Sequence, residues 1–381
     1  MRPLAFFVPG RLDQITGGYL YDRRVVEGLR RAGRAVAVHE LAGCFPDADA
    51  AARDAFSAAL AGLPDGGAVA IDGLALPGGV EAVPREAPRL RLVAFVHHPL
   101  ALESGLAPAA SHRFAELEAR LLRPCRGAIC PSRRTADALV GYGMDPARIA
   151  VVPPGTDAPL VDFPPLLAGE GQGGGTPPTE SSRLAPPPTP TLPRKQGREK
   201  VVELLSVGTI TPRKGHAVLV EALAGLADLD WRLTCIGSLD RDPGTVAGLL
   251  RLIERHGLRD RVLLPGEWPP ERLSRAYAAA DIFVLASFHE GYGMAFAEAM
   301  AHGLPIVGTD AGAVPETVPA GAGVLVPAGD AAALRRALRQ VLGDPALRQE
   351  LAEGARRAAA ALPSWDETVR RWGEAFDRLA A

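Results

Sequence analysis

Two glutamates, Glu290 and Glu298, stand eight residues apart in the stretch FHEGYGMAFAEAM (288–300), with Gly291 and Gly293 between them. Carboxylates accept hydrogen bonds from vicinal hydroxyls, which ribose and hexoses carry in pairs. Glycines let a backbone approach a ligand closely. A helix opening at Met294 and Ala295 would aim its first amides, and a partial positive charge, at an anion. Sugar hydroxyls plus a phosphate describe a nucleotide sugar. For Glu298 alone the plain alternative is a carboxylate that satisfies a helix dipole. That alternative weakens once Glu290 and both glycines are counted with it.

A second stretch, GTITPRKGH (208–216), places Arg213 beside Lys214 directly after the apolar run VVELLSVG. The chain has only three lysines, and two of them, Lys195 and Lys200, lie in a Pro- and Gly-rich segment, so Lys214 is the one lysine of the folded body. An ammonium next to a guanidinium suits a diphosphate, one as a point charge and the other as a bidentate fork. A solvated turn is the alternative. A P-loop is excluded, because that motif needs Gly before Lys and here Lys comes first. Two more loops join the list. FVHHPL ends an apolar run with His97 and His98, and Gly17-Gly18-Tyr19 opens a helical stretch where backbone amides would meet a phosphate or an acceptor. Gly10, Gly17 and Gly18 lack GxGxxG spacing, so a nicotinamide site is poorly supported.

All these loops follow short apolar runs, and that sets the architecture. LAFFVPG, AVAVHEL, AVAIDGL, RLVAFVHH and GAICPS alternate with helical segments such as 19–32 and 111–122. VVELLSVG, WRLTCIGS, RVLLPG, DIFVLAS, LPIVGT and GVLVPAG alternate with 216–227, 245–256 and 270–280. Near-continuous apolar strands between helices mean parallel sheets covered on both faces. The expected class is α/β, with two doubly wound Rossmann-like domains facing a central cleft, and ligands outside the carboxyl ends of the strands. The expected division is 1–160, then a disordered Pro/Gly-rich insertion over 161–200, then 201–362, then a C-terminal helix over 363–381 returning to the first domain. The insertion has too few large apolar residues to offset its ordering entropy.

Composition removes several classes. Over 381 residues, 47% hydrophobic and 23% charged content is that of a soluble globular chain. A net charge of −2 argues against a general nucleic-acid binder. The four cysteines form neither a CxxC pair nor a zinc spacing, so reduced thiols in the cytoplasm are expected. No apolar run reaches spanning length. Asp-x-Asp occurs at 47–49, 228–230 and 240–242, without supporting ligands, and the first copy reads as a helix N-cap; no metal is expected.

Taken in order, E-x7-E at Glu290–Glu298, VGTITPRKG, EAMAHGLPIVGTDAGAVPE, GVLVPAGD and PSRRTADALVGYGMDPARIAVVPPGTD resemble the retaining GT-B glycosyltransferases of family 4. The resemblance spans most of the chain outside the insertion. It implies that Arg213 and Lys214 hold a donor diphosphate, that Glu290 meets the donor sugar and Glu298 the nucleotide ribose. It also implies a Gly-rich turn at Gly18 and one active histidine in FVHHPL, taken as His98, with His97 as packing. Gly208, Gly291, Gly293, Met294 and Ala295 complete the expected donor site. The implied reaction moves a sugar from a nucleoside diphosphate to an acceptor hydroxyl, with same-face attack, no metal and no cofactor. An epimerase or phosphorylase on the same cleft, a non-catalytic nucleotide-sugar binder and a Rossmann oxidoreductase are the rivals. No motif identifies the donor base or the acceptor. Arg113, Arg120, Arg123 and Arg126 form either a basic face for peripheral contact with an anionic membrane or a solvated helix.

Overall fold

The computed structural model describes residues 3–160 and 201–381, and the 161–200 insertion lies outside them. The first domain is a six-stranded parallel sheet in the order β2-β1-β3-β4-β5-β6. Its strands are β1 (Leu4–Pro9), β2 (Val36–Leu41), β3 (Ala68–Asp72), β4 (Arg91–Phe95), β5 (Gly127–Cys130) and β6 (Ile149–Val151). The second sheet, also six parallel strands, runs β12-β11-β10-β7-β8-β9. It comprises β7 (Val202–Val207), β8 (Trp231–Ile236), β9 (Val262–Gly266), β10 (Ile282–Leu285), β11 (Ile306–Thr309) and β12 (Gly323–Val326). Central strands such as β1, β3 and β10 are buried along their whole length, as a sheet packed on both faces requires.

Strand order reverses between β1 and β3 in the first sheet and between β10 and β7 in the second. Such switch points open a crevice at the carboxyl ends of the strands. Three of the four loops singled out by sequence lie at these two places, and the fourth, with His97 and His98, follows β4. The Gly17–Gly18 turn follows β1, the Arg213–Lys214 turn follows β7, and the Glu290 loop follows β10.

The structure adds elements that the apolar pattern did not single out: the short edge strand β6 and the helices Ala50–Ala61, Ala331–Gly343 and Pro345–Ala359. Asp49 caps the first of these by accepting from the amide of Ala52 at 2.8 Å. The last two pack on the second domain's core. The C-terminal helix Trp365–Leu379 buries Val369, Trp372 and Phe376 against Phe6 and Phe95 of the first domain. Its start lies beside the chain leaving β6: Thr156 donates to Pro363 and Thr368 donates to Pro153, each at 2.9 Å. The two chain crossings between the domains therefore run side by side. Cys125, Cys130 and Cys235 are buried thiols and Cys44 is exposed. Among the described residues no helix is long and apolar enough to cross a membrane.

Candidate active site

On the second domain, Arg213 and Lys214 form a single tight turn, Pro212–Lys214, after β7. The Phe288 amide donates to the Arg213 carbonyl at 2.7 Å, tying this turn to the loop after β10 across the switch point. Between them sits Glu290, 6% exposed. Its Oε1 accepts from Lys214 Nζ at 2.6 Å and from Ser287 Oγ at 2.6 Å, and its Oε2 lies 3.5 Å from Arg213 Nη1. Burial alone would raise this carboxyl, but the two cations outweigh it and hold it at about 2. Arg213 Nη1 also donates to the His289 carbonyl at 3.0 Å. Two cations thus share the buried Glu290 carboxylate, and Arg213 also meets Glu103 at 3.0 Å, so the cluster is charge-balanced as it stands.

Gly293 opens the helix Met294–Ala301 with a φ of +97°, a left-handed conformation that favours glycine. The amides of Met294 and Ala295 stand ahead of the helical ladder. That of Phe296 bonds the Gly293 carbonyl at 3.0 Å. Gly208 packs against the Lys214 stem, so that a Cβ there would lie 3.2 Å from Lys214 Cδ. One turn into the helix, Glu298 is partly buried and accepts from Tyr277 Oη at 2.9 Å. Burial raises its carboxyl to about 7, with Tyr277 pulling the other way.

The first domain closes over this face. At Gly291 an added Cβ would lie 2.0 Å from the His97 carbonyl, so no side chain fits where the two domains touch. Gly17 comes within 3.6 Å of Met294 Sδ by the same measure, and Gly18 within 3.3 Å of the His97 ring. Glu316, from the second domain, accepts from the amides of Arg133 at 2.9 Å and Arg134 at 2.7 Å, capping the first-domain helix Arg133–Gly141. Arg241 reaches Gln14 at 2.6 Å across the rim.

The two histidines part company. His98 faces the cleft: its Nε2 lies 3.1 Å from Glu103 Oε2, and its ring centroid is 5.9 Å from that of His289. His97 turns inward, with Nε2 3.0 Å from Asp22 and 3.5 Å from Asp72. Burial lowers the His97 imidazole, but the two carboxylates overcome that and raise it to about 10. Asp22, buried and beside Asp72, is pushed far up, and its Oδ2 has no hydrogen-bond partner among the described residues. These three side chains bring their ligand atoms within 4.8 Å of one another, near enough for one cation. Both carboxylates already engage the His97 ring, and an ion would have to displace that contact.

Sequence reasoning passed over Asp22, Asp72, Glu103 and Glu316 as site residues. Glu316 stood within the quoted run DAGAVPE, but its partners are backbone amides of the other domain, which carry no sequence signal. Of the Arg-rich face, Arg113 pairs with Asp47 at 2.6 Å, while Arg120 and Arg126 donate to the carbonyls of Val80 and Ala381.

Residues 189–358 match the glycosyl transferases group 1 family, and residues 73–159 match Glycosyltransferase Family 4. The chain is 35% identical over 249 residues to D-inositol 3-phosphate glycosyltransferase of Xylanimonas cellulosilytica, covering 63% of this chain and 54% of that protein. It is 28% identical over 310 residues to MMP alpha-(1->4)-mannosyltransferase of Mycolicibacterium hassiacum, covering 76% and 67%. The chain spans about half the length of most of the curated relatives it matches. In fold it is similar to sucrose-phosphate synthase from Thermosynechococcus elongatus, with a TM-score of 0.76, 21% identity, and 100% and 99% of the two chains covered. It is also similar to the Anabaena protein HepE in complex with UDP-glucose, with a TM-score of 0.72, 19% identity, and 99% and 100% covered. With two parallel sheets meeting at their switch points and both family patterns in register, the chain belongs to the group 1 glycosyltransferases of family 4 and has the GT-B fold.

Proposed function

We propose that this protein transfers a sugar from a nucleoside diphosphate sugar to an acceptor hydroxyl, with retention at the anomeric carbon and without a metal. The observation that carries the reading is the Arg213–Lys214–Glu290 cluster set beside the helix opening at Met294. Arg213, Lys214 and the amides of Met294 and Ala295 are preorganised donors for the charge that builds on the departing diphosphate. They do there what a divalent ion would otherwise do. Glu298 takes the ribose hydroxyls, and Glu290 takes the transferred sugar from beside its two cations. Glu290 is held ionised at about 2, which makes it a poor base at neutral pH. As the family resemblance implies, the leaving phosphate takes the acceptor's proton as the acceptor attacks from the same face. His98, on the opposite wall, donates to the donor sugar or the phosphate. Uridine is the first base to try, since HepE is seen with UDP-glucose.

The test is release of nucleoside diphosphate from a panel of UDP-, GDP- and ADP-sugars, with the anomeric configuration of the product read by NMR. Donor turnover with retained configuration, unchanged in EDTA, is expected. Inverted product, or turnover that needs an added divalent ion, would refute the mechanism. Failure of every nucleoside diphosphate to bind would refute the site.

A further inference from the structure

Glu103 lies just past the short turn Leu100–Leu102 of the first domain and uses its two oxygens on different partners. Oε1 meets Arg213 Nε of the second domain at 3.0 Å, and Oε2 meets His98 Nε2 of its own loop at 3.1 Å. The side chain is 40% exposed, so it can leave one partner without unfolding anything. Arg213 keeps other bonds through Nη1, to the His289 carbonyl and Glu290, so Glu103 occupies a separate edge of the guanidinium.

Resting on the donor site described above, we propose that Glu103 is a positioning residue that serves Arg213 and His98 in turn. With the cleft empty it holds both. The incoming diphosphate takes Arg213, and the carboxylate then orients His98 alone. The electrostatics are consistent with this exchange. Burial would raise the Glu103 carboxyl, but His98 and Arg213 hold it at about 2, so it is a carboxylate at any working pH. His289, the other ring facing His98, is held at about 4, first by burial and then by His98 and Arg213, so it is neutral there. Glu290 spends its charge on Lys214 and Arg213. Once Arg213 turns to the phosphates, Glu103 is left to hydrogen-bond His98 alone and fixes the orientation of its ring. The donor's arrival thus sets the ring that acts on it.

The test is Glu103→Gln, with Glu103→Asp as a variant that keeps the charge and thermal unfolding as a check on folding. In Glu103→Gln, binding of UDP, GDP or ADP should tighten by about two- to fivefold, because an exposed competing ion pair of that worth is gone. Turnover should fall by about a hundredfold, the cost of a misplaced catalytic group. Glu103→Asp should fall between the two. Weaker nucleotide binding or unchanged turnover in Glu103→Gln would overturn the proposal. Lys214→Met separates the two readings. If Lys214→Met loses nucleotide affinity while Glu103→Gln behaves like the native protein, the donor site stands and the Glu103 exchange falls. If the native protein binds no nucleoside diphosphate, both fall.

Discussion

Replacing Lys214 with methionine, similar in volume, removes the cation that holds Glu290 and leaves a carboxylate in a nearly closed site. The Lys214 and Glu290 side chains are 14% and 7% exposed, so water cannot replace the lost ammonium. Breaking a buried pair by removing one partner costs about 3–5 kcal/mol. Glu290 keeps Ser287 at 2.6 Å and Arg213 at 3.5 Å, which places the expected loss near the lower end, about 3 kcal/mol. For a domain of this size that is on the order of 6–12 °C in Tm. The sign with pH follows from linkage. The Glu290 carboxyl sits below its ordinary 4.5, so its contribution is complete above 4.5 and is lost as pH falls toward about 2. In the variant a raised Glu290 takes up a proton earlier. The deficit against the native protein should therefore be greatest above neutrality and shrink as pH falls. Adding Glu290→Gln to Lys214→Met should recover most of the lost stability, since the amide needs no cation. Thermal unfolding of the three proteins between pH 5 and 8 reads this directly. A Lys214→Met protein as stable as the native one, or a double variant no better than the single, would refute the pairing.

Glu298 should make nucleotide affinity depend on pH. On the proposed reading its ionised form accepts from both ribose hydroxyls, so affinity should rise by up to about tenfold as pH climbs through about 7, and Glu298→Gln should flatten the calorimetric profile. Gly291→Ala should hold the domains apart, because its Cβ meets the His97 carbonyl, and should lower kcat by about a hundredfold while the second domain keeps its stability. Trp372→Ala should cost about 3–5 kcal/mol in denaturant unfolding, since the ring is wholly buried, stacked on Phe376 and packed on Phe6 and Phe95.

The apolar runs made both sheets legible, because a strand buried on both faces must be apolar throughout. β6 was harder, since three residues at a sheet edge show no alternation to read. Arg213, Lys214, Glu290 and Glu298 could be found because unusual residue types stand at fixed spacings in loops that glycine marks. Glu103 could not. Its meaning comes from Arg213, 110 positions away in sequence and on the other domain, and only the closed cleft brings them to 3.0 Å. The division between His97 and His98 came only from the family resemblance, because the loop's own residues could not supply it. Adjacent residues leaving a strand point opposite ways, and which way is inward depends on Asp22 and Asp72.

The most direct test is a crystal structure with a nucleoside diphosphate sugar bound. The diphosphate should lie within hydrogen-bond distance of Arg213, Lys214 and the Met294 and Ala295 amides, with the ribose on Glu298 and the sugar on Glu290. A nucleotide seated on the first domain alone, with the Lys214–Glu290 pair undisturbed and no phosphate near it, would contradict the account.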